Sequence, residues 1–147
     1  MITMDGISEQ QKKDIMDGVN ALNAHDLAKL LSFSADDIIG ENVALGAANH
    51  GKEESRNYFK QLFDAIPDFK IEPTLCFGSG KYRCMEYVVS GTPVKELGGI
   101  PATGKSFKVR CVGVSELRDG KTSRASTYYD LATMLRQLGV LPAMSQK

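Results

Sequence analysis

Arg118-Asp-Gly-Lys-Thr-Ser-Arg-Ala-Ser-Thr-Tyr-Tyr-Asp130 is an alternating run launched from an Asp-Gly pair and closed by two tyrosines and a carboxylate. A tight hairpin favours positive φ at both central residues, and Asp119-Gly120 is a dipeptide that meets that demand. The run after the turn, about Lys121–Tyr129, therefore pairs back on an alternating run before it, about Ser106–Leu117. Further upstream, Gly78-Ser-Gly80 separates two more alternating runs, about Lys70–Gly78 and Lys81–Gly91. The second half of the chain is thus predicted to be an antiparallel meander.

The first half has the other period. Between Ser8 and Ser32 the apolar residues Ile15, Val19 and Leu22 recur at helical spacing, and Leu27, Leu30 and Leu31 renew the stripe after a break at His25-Asp26. Asp26 suits the N-cap of the second piece, and His25, at the break, is given a structural role at a helix end. Asp36 to Leu45 reads as a short strand or hairpin. Gly51 to Ile66 is an amphipathic helix that buries Tyr58, Phe59, Leu62, Phe63 and Ile66 and stops at Pro67-Asp68. A terminal helix from Leu131 to Leu138 ends at Gly139, with Pro142 beyond. Helices first and a meander after them predict an α+β domain in which helices cover one face of a curved sheet.

The chain has 147 residues, 42% apolar and 24% charged, enough for a single domain with a real core, and nothing in it suggests a second. Eighteen basic residues balance eighteen acidic ones, and no basic cluster exceeds a pair. That balance lacks the electrostatic footprint of a nucleic-acid binder and disfavours an anionic membrane surface equally. No apolar run spans a bilayer, and Met1-Ile-Thr-Met-Asp-Gly6 lacks the regions of a signal peptide, so a cytoplasmic protein is expected. Cys76, Cys84 and Cys111 are odd in number, lack metal or redox spacing, and read as small core residues. His25 and His50 are not grouped with carboxylates at ligand spacing, so no metal site is expected.

Asp130 is the leading candidate for chemistry. Asp is poorly suited to a strand that Tyr and Thr favour, so its place after Tyr128-Tyr129 calls for a reason. One reason is capping of the helix that follows, where a carboxylate accepts backbone N–H bonds at the positive end of the dipole. The other is general acid/base catalysis. The two are compatible and both stay open.

Gly98-Gly-Ile-Pro-Ala-Thr-Gly-Lys-Ser-Phe107, the Asp119-Gly-Lys121 turn, Tyr129-Asp130 and Met134-Leu-Arg-Gln-Leu-Gly139, in this order, resemble the SnoaL-like polyketide cyclases of the nuclear transport factor 2-like superfamily. Asn23-Ala-His-Asp26, Asp36-Asp37 and His50-Gly-Lys-Glu53 extend the likeness over nearly the whole chain, residues 1–147 as one domain. The resemblance implies a cone: a strongly curved antiparallel sheet wrapped around a hydrophobic pocket that helices close. It also implies a homo-oligomer, dimer or tetramer, and a small hydrophobic molecule as partner. In the family's cyclases an aspartate after the last long strand is acid and base in an intramolecular aldol ring closure that needs no cofactor. Asp130 falls on that position. Many relatives carry a histidine after Gly-Thr in the strand before the Gly-Ile-Pro motif, whereas here Pro93 follows Gly91-Thr92.

Around Asp130, the expected catalytic helpers are Arg110 and Tyr128, and the expected pocket residues are His50, Phe59, Phe63, Tyr87 and Tyr129. Tyr128 and Tyr129 must point to opposite faces of a regular strand, so at most one lines the pocket. Arg110 either enters the cavity or decorates the outer sheet, and a one-residue bulge would exchange the two. Glu86 is read as outward-facing. The glycine-rich Gly98 to Gly104 segment invites a phosphate-loop reading, but the residues after it alternate as a strand instead of opening a helix, and it is read as a rim loop. Three functions remain in view: a cofactor-independent cyclase or isomerase of a hydrophobic carbonyl compound, an epoxide hydrolase built on Asp130, Arg110 and Asp37, and a non-catalytic binding module.

Overall fold

A computed structural model describes residues 2–142. In chain order the elements are β1 (Thr3–Asp5), α1 (Glu9–Asn23), α2 (Leu27–Leu31), β2 (Ser34–Asn42), β3 (Ala47–His50), α3 (Gly51–Ala65), β4 (Lys70–Ser79), β5 (Tyr82–Gly91), β6 (Phe107–Arg118), β7 (Lys121–Tyr129) and α4 (Leu131–Gln137). The strands form one seven-stranded sheet in the order β1-β4-β5-β6-β7-β2-β3. The meander from β4 to β7 follows the alternation of the sequence, and Asp119 and Gly120 turn it at φ 52° and 75°.

The sheet is mixed, which corrects the antiparallel expectation. β2 runs parallel to β7 and β1 parallel to β4. Parallel neighbours are joined through crossovers and leave no hairpin signature, and a three-residue strand is too short to show alternation. Register shifts at Pro73/Leu75 in β4 and at Glu116/Leu117 in β6 sharpen the bend. Pro73, which has no N–H to donate, sits at the first of these, where a lost ladder bond is tolerated.

Ser8 and Gln11 close a capping box on α1, and Asp26 accepts from the Lys29 N–H at 3.0 Å to start α2. His25 bridges the two helices at φ 56°. Its ring stacks on Phe63 with centroids 4.1 Å apart, and Nε2 lies 3.0 Å from the Phe69 carbonyl oxygen, which ties the helical layer to the start of β4. The core lies between α1, α3 and the concave face of the sheet, where Leu22, Leu62, Phe63, Val89, Val109 and Leu138 are buried.

Pairing fixes which side chains face inward. Tyr87, Cys111 and Tyr129 stand at one level of the concave face, while Glu86, Val112 and Tyr128 stand at the neighbouring level of the convex face. Cys76 and Cys111 are buried, but Cys84 is half-exposed on the convex face, which corrects its assignment to the core. The Leu97–Ile100 turn, with Gly98 and Gly99 at φ 57° and 84°, folds over the rim. Gly99 to Ser106 spells a phosphate-loop spacing by letter, yet Phe107 begins β6 and no helix follows to present its N–H groups.

Candidate functional site

Two of the chambers inside the cone meet at a shared waist. The larger, about 460 Å³, lies between the helical layer and the sheet, and Gln11, Asp14, Phe59, Arg83, Asn49 and Ser115 are among the residues around it. The second, about 250 Å³, is more apolar, walled by Leu62, Ile66, Leu97, Phe107, Met134 and others. Asn42, Tyr58 and Thr127 border both chambers and form the waist between them.

The waist is a cluster of phenols. α3 supplies Tyr58, β5 supplies Tyr87, and β7 supplies Tyr129, with Asn42 at the end of β2. The Asn42 side chain stands near both the Tyr58 and the Tyr129 hydroxyls and favours their ionised forms slightly, against the larger effect of burial. Tyr87 lies beside Thr127 and the Cys111 thiol. Burial disfavours the phenolates: it raises the pKa of Tyr58 and Tyr87, and pushes Tyr129 up to about 12. Burial also pushes the Cys111 thiol up to about 12, so this cysteine is no nucleophile. At neutral pH the waist therefore holds uncharged hydroxyl donors in a largely apolar wall.

Asp130 lies elsewhere. It is exposed at the start of α4, where Oδ1 accepts the Thr133 backbone N–H at 2.9 Å and Oδ2 accepts the Thr133 hydroxyl at 2.6 Å. Those bonds, from the hydroxyl and then the backbone N–H, hold its pKa below the ordinary 3.8. Both oxygens are thus engaged, whereas a general base needs a free one within reach of the proton it takes. Of the two readings of Asp130, the geometry supplies the cap and no cavity position.

The sequence model of the SnoaL-like polyketide cyclases matches residues 13–138. This chain belongs to that family. Solved structures agree with the assignment of this SnoaL-like protein. IdmH of Streptomyces antibioticus, named a "putative polyketide cyclase", is 27% identical, with a TM-score of 0.72 over 88% of this chain and 98% of its own. A second "putative polyketide cyclase", from a Silicibacter species, is also 27% identical, with a TM-score of 0.74 over 86% of this chain and 93% of its own. A Catenulispora acidiphila protein of ketosteroid isomerase-like fold, 20% identical, has a TM-score of 0.75 over 88% of this chain and 94% of its own, and shows the shared fold alone.

Within this SnoaL-like frame the expected site residues separate into two groups. Tyr87 and Tyr129 line the apolar chamber and Phe59 the larger one. Phe63 is 9% exposed and packs behind the chambers against His25, so it supports the wall without forming it. His50 stands exposed before α3, makes no side-chain cap and borders neither chamber. Tyr128 is 44% exposed on the convex face, one residue out of phase with Tyr129. Arg110 is also convex and pairs with Glu86 at 2.9 Å, so neither of the two expected helpers meets Asp130 in the cavity. The epoxide-hydrolase triad is not assembled either, because Asp37 pairs with Arg118, Arg110 with Glu86 and Asp130 with Thr133. Among the described residues no three His, Cys, Asp or Glu side chains converge as metal ligands.

Sequence reasoning missed Asn42, Asp14 and Arg83 as site residues. Arg83 was legible in principle: it shares strand parity with Met85, Tyr87 and Val89, the inward residues of β5, whereas Glu86 shares parity with the outward ones.

Proposed function

We propose that this chain is a cofactor-independent cyclase that closes a ring in a hydrophobic carbonyl compound by an intramolecular aldol reaction at the tyrosine-lined waist. The observation that supports the reading best is the cluster of neutral, partly buried phenols around Asn42 inside a cavity of substrate size. Hydroxyl donors fixed in an apolar wall lower the energy of an enolate as it develops, because they need no reorganisation and compete with little water. The α-carbon proton passes to Asp14, which borders the larger chamber. Gln10 donates to Asp14 Oδ1 at 2.9 Å, and among the described residues Oδ2 accepts no hydrogen bond, so it is free to take a proton. The enolate carbon then attacks the second carbonyl, and the resulting alkoxide takes a proton from a phenol that Asp14 finally restores. The partner is a small hydrophobic molecule.

The same reading includes a homodimer joined through the convex sheet. Phe77, Tyr128 and Ile39 lie on that face at 48%, 44% and 39% exposure.

β-Tetralone in deuterium oxide tests the enolisation half of the reaction. Proton NMR is expected to show faster exchange of its α-protons with protein than without, and Asp14→Asn to abolish the acceleration. Saturable binding with no acceleration by wild type would replace the cyclase with a binding module. The capping of Asp130 favours that second reading, since it occupies both oxygens of the residue at the family's acid/base position.

A further inference from the structure

The chain has six arginines, at positions 56, 83, 110, 118, 124 and 136. Arg56, Arg110, Arg118 and Arg124 each pair with a carboxylate on the surface, and Arg136 donates to the Thr133 hydroxyl at 3.0 Å. Arg83 is the exception. Among the described residues its guanidinium has no ion pair and no hydrogen bond, although it is the arginine drawn into the interior. Its stem packs over the bare backbone of Gly78, where a Cβ would lie 3.4 Å from the Arg83 Cγ. Its head stands between the larger chamber and a smaller apolar one of about 200 Å³ walled by Ile15, Leu22, Ile71 and Met85. Gly18 and Ser115 border both spaces beside it.

Arg83 is half-buried, and since no fully buried side-chain nitrogen among the described residues lacks a partner, its unpaired donors face cavity solvent that a ligand can displace, whereas the five partnered arginines have theirs engaged. Burial lowers the pKa of Arg83, and Asp14 opposes that shift only through space. The fold thus carries a cavity-facing cation with unused donors in a fixed planar fork. Such a fork matches a carboxylate, which accepts two parallel N–H bonds.

We infer that Arg83 is an anion subsite that receives a carboxylate of the substrate, so that this protein selects carbonyl compounds bearing an acid group over their esters. The inference rests on the proposed cavity as the substrate site. A neutral ester would fill the same space and leave the guanidinium unpaired. Of the two carboxylates that border the larger chamber, Glu41 is paired with Arg124, and Asp14 acts on Arg83 through space, weakening the subsite without occupying it. Placing the acid at Arg83 would set the carbonyl-bearing remainder toward the waist, the direction in which the larger chamber leads to Tyr58 and Asn42.

β-Naphthoic acid and its methyl ester, titrated into wild type, Arg83→Met and Arg83→Lys by calorimetry at neutral pH, separate the charge from the cavity. Wild type is expected to bind the acid at least about tenfold more tightly than the ester, the size of a charge-assisted hydrogen bond. Arg83→Met should lose that preference while binding the ester as before, and Arg83→Lys should keep part of it. Arg83→Met is also expected to melt at or above the wild-type temperature, because it replaces an unpaired cation with an apolar chain of similar length. Equal binding of acid and ester by wild type, or a preference that survives in Arg83→Met, would overturn the subsite while ester binding left the cavity standing. Failure of both ligands to bind wild type would overturn the cavity reading and the subsite with it. A sharp loss of melting temperature in Arg83→Met would show a structural tie instead.

Discussion

At the scale of single residues, Asp130 and Tyr129 are neighbours with opposite environments. Tyr129 turns inward with its phenol held neutral by burial, and Asp130, one step along, is in solvent with both oxygens bound to Thr133. Asp130→Ala is therefore expected to lower the melting temperature by a few degrees, and Asp130→Asn, which keeps an accepting oxygen, by much less. The pH dependence has a definite sign. A carboxylate whose folded pKa lies below its unfolded value stabilises the fold above the unfolded pKa, and the contribution is lost as pH falls through the folded value. For Asp130 that loss begins near the ordinary 3.8 and continues below it, so the melting temperatures of wild type and Asp130→Ala should converge in acid. The sequence could pose the choice between cap and catalyst because an Asp after Tyr-Tyr is anomalous in a strand. It could not decide it, because both roles ask for the same residue type at a helix start.

At the scale of elements, α4 shows how a short helix is held in place. Asp130 caps its beginning, and Gly139 at φ 78° ends it. Gln137 exchanges hydrogen bonds with the Lys108 backbone at 2.7 and 3.1 Å, and the Thr103 hydroxyl donates to the Leu138 carbonyl at 2.6 Å. Leu138 itself is 0% exposed and borders the apolar chamber with Met134. Leu138→Ala is expected to destabilise the protein by about 2–5 kcal/mol, read from the denaturant midpoint at unchanged slope. The β4–β7 meander and both long helices were legible because their periods differ and their turns carry Gly. β2 was legible only as a strand or hairpin: its partner β7 lies parallel and far away in sequence, and no local pattern reports such a pairing. Asn42 was hidden for the same reason, since its meeting with Tyr58 and Tyr129 depends on where β2 joins the sheet.

At the scale of the whole molecule, the sheet divides its duties between faces. The convex side carries the Arg110–Glu86 and Arg124–Glu41 pairs among exposed Phe77 and Tyr128, and the concave side encloses the chambers. Sedimentation equilibrium is expected to find a homodimer, and Tyr128→Glu to shift it toward monomer; a wild-type monomer at all concentrations would remove the convex face from the account. The resemblance to a cyclase family led correctly to the cone, and it directed attention to Asp130 because motifs mark positions in sequence, whereas the chemistry of a cavity depends on which side chains converge there. The central claim is that the chemistry belongs to the waist and not to the cap. The β-tetralone exchange rate measured for wild type, Tyr129→Phe and Asp130→Asn tests it most directly. The account predicts a loss of about 10²–10³-fold for Tyr129→Phe, the effect of removing one oxyanion donor, with Asp130→Asn close to wild type; abolition of exchange by Asp130→Asn, with Tyr129→Phe unimpaired, would contradict it.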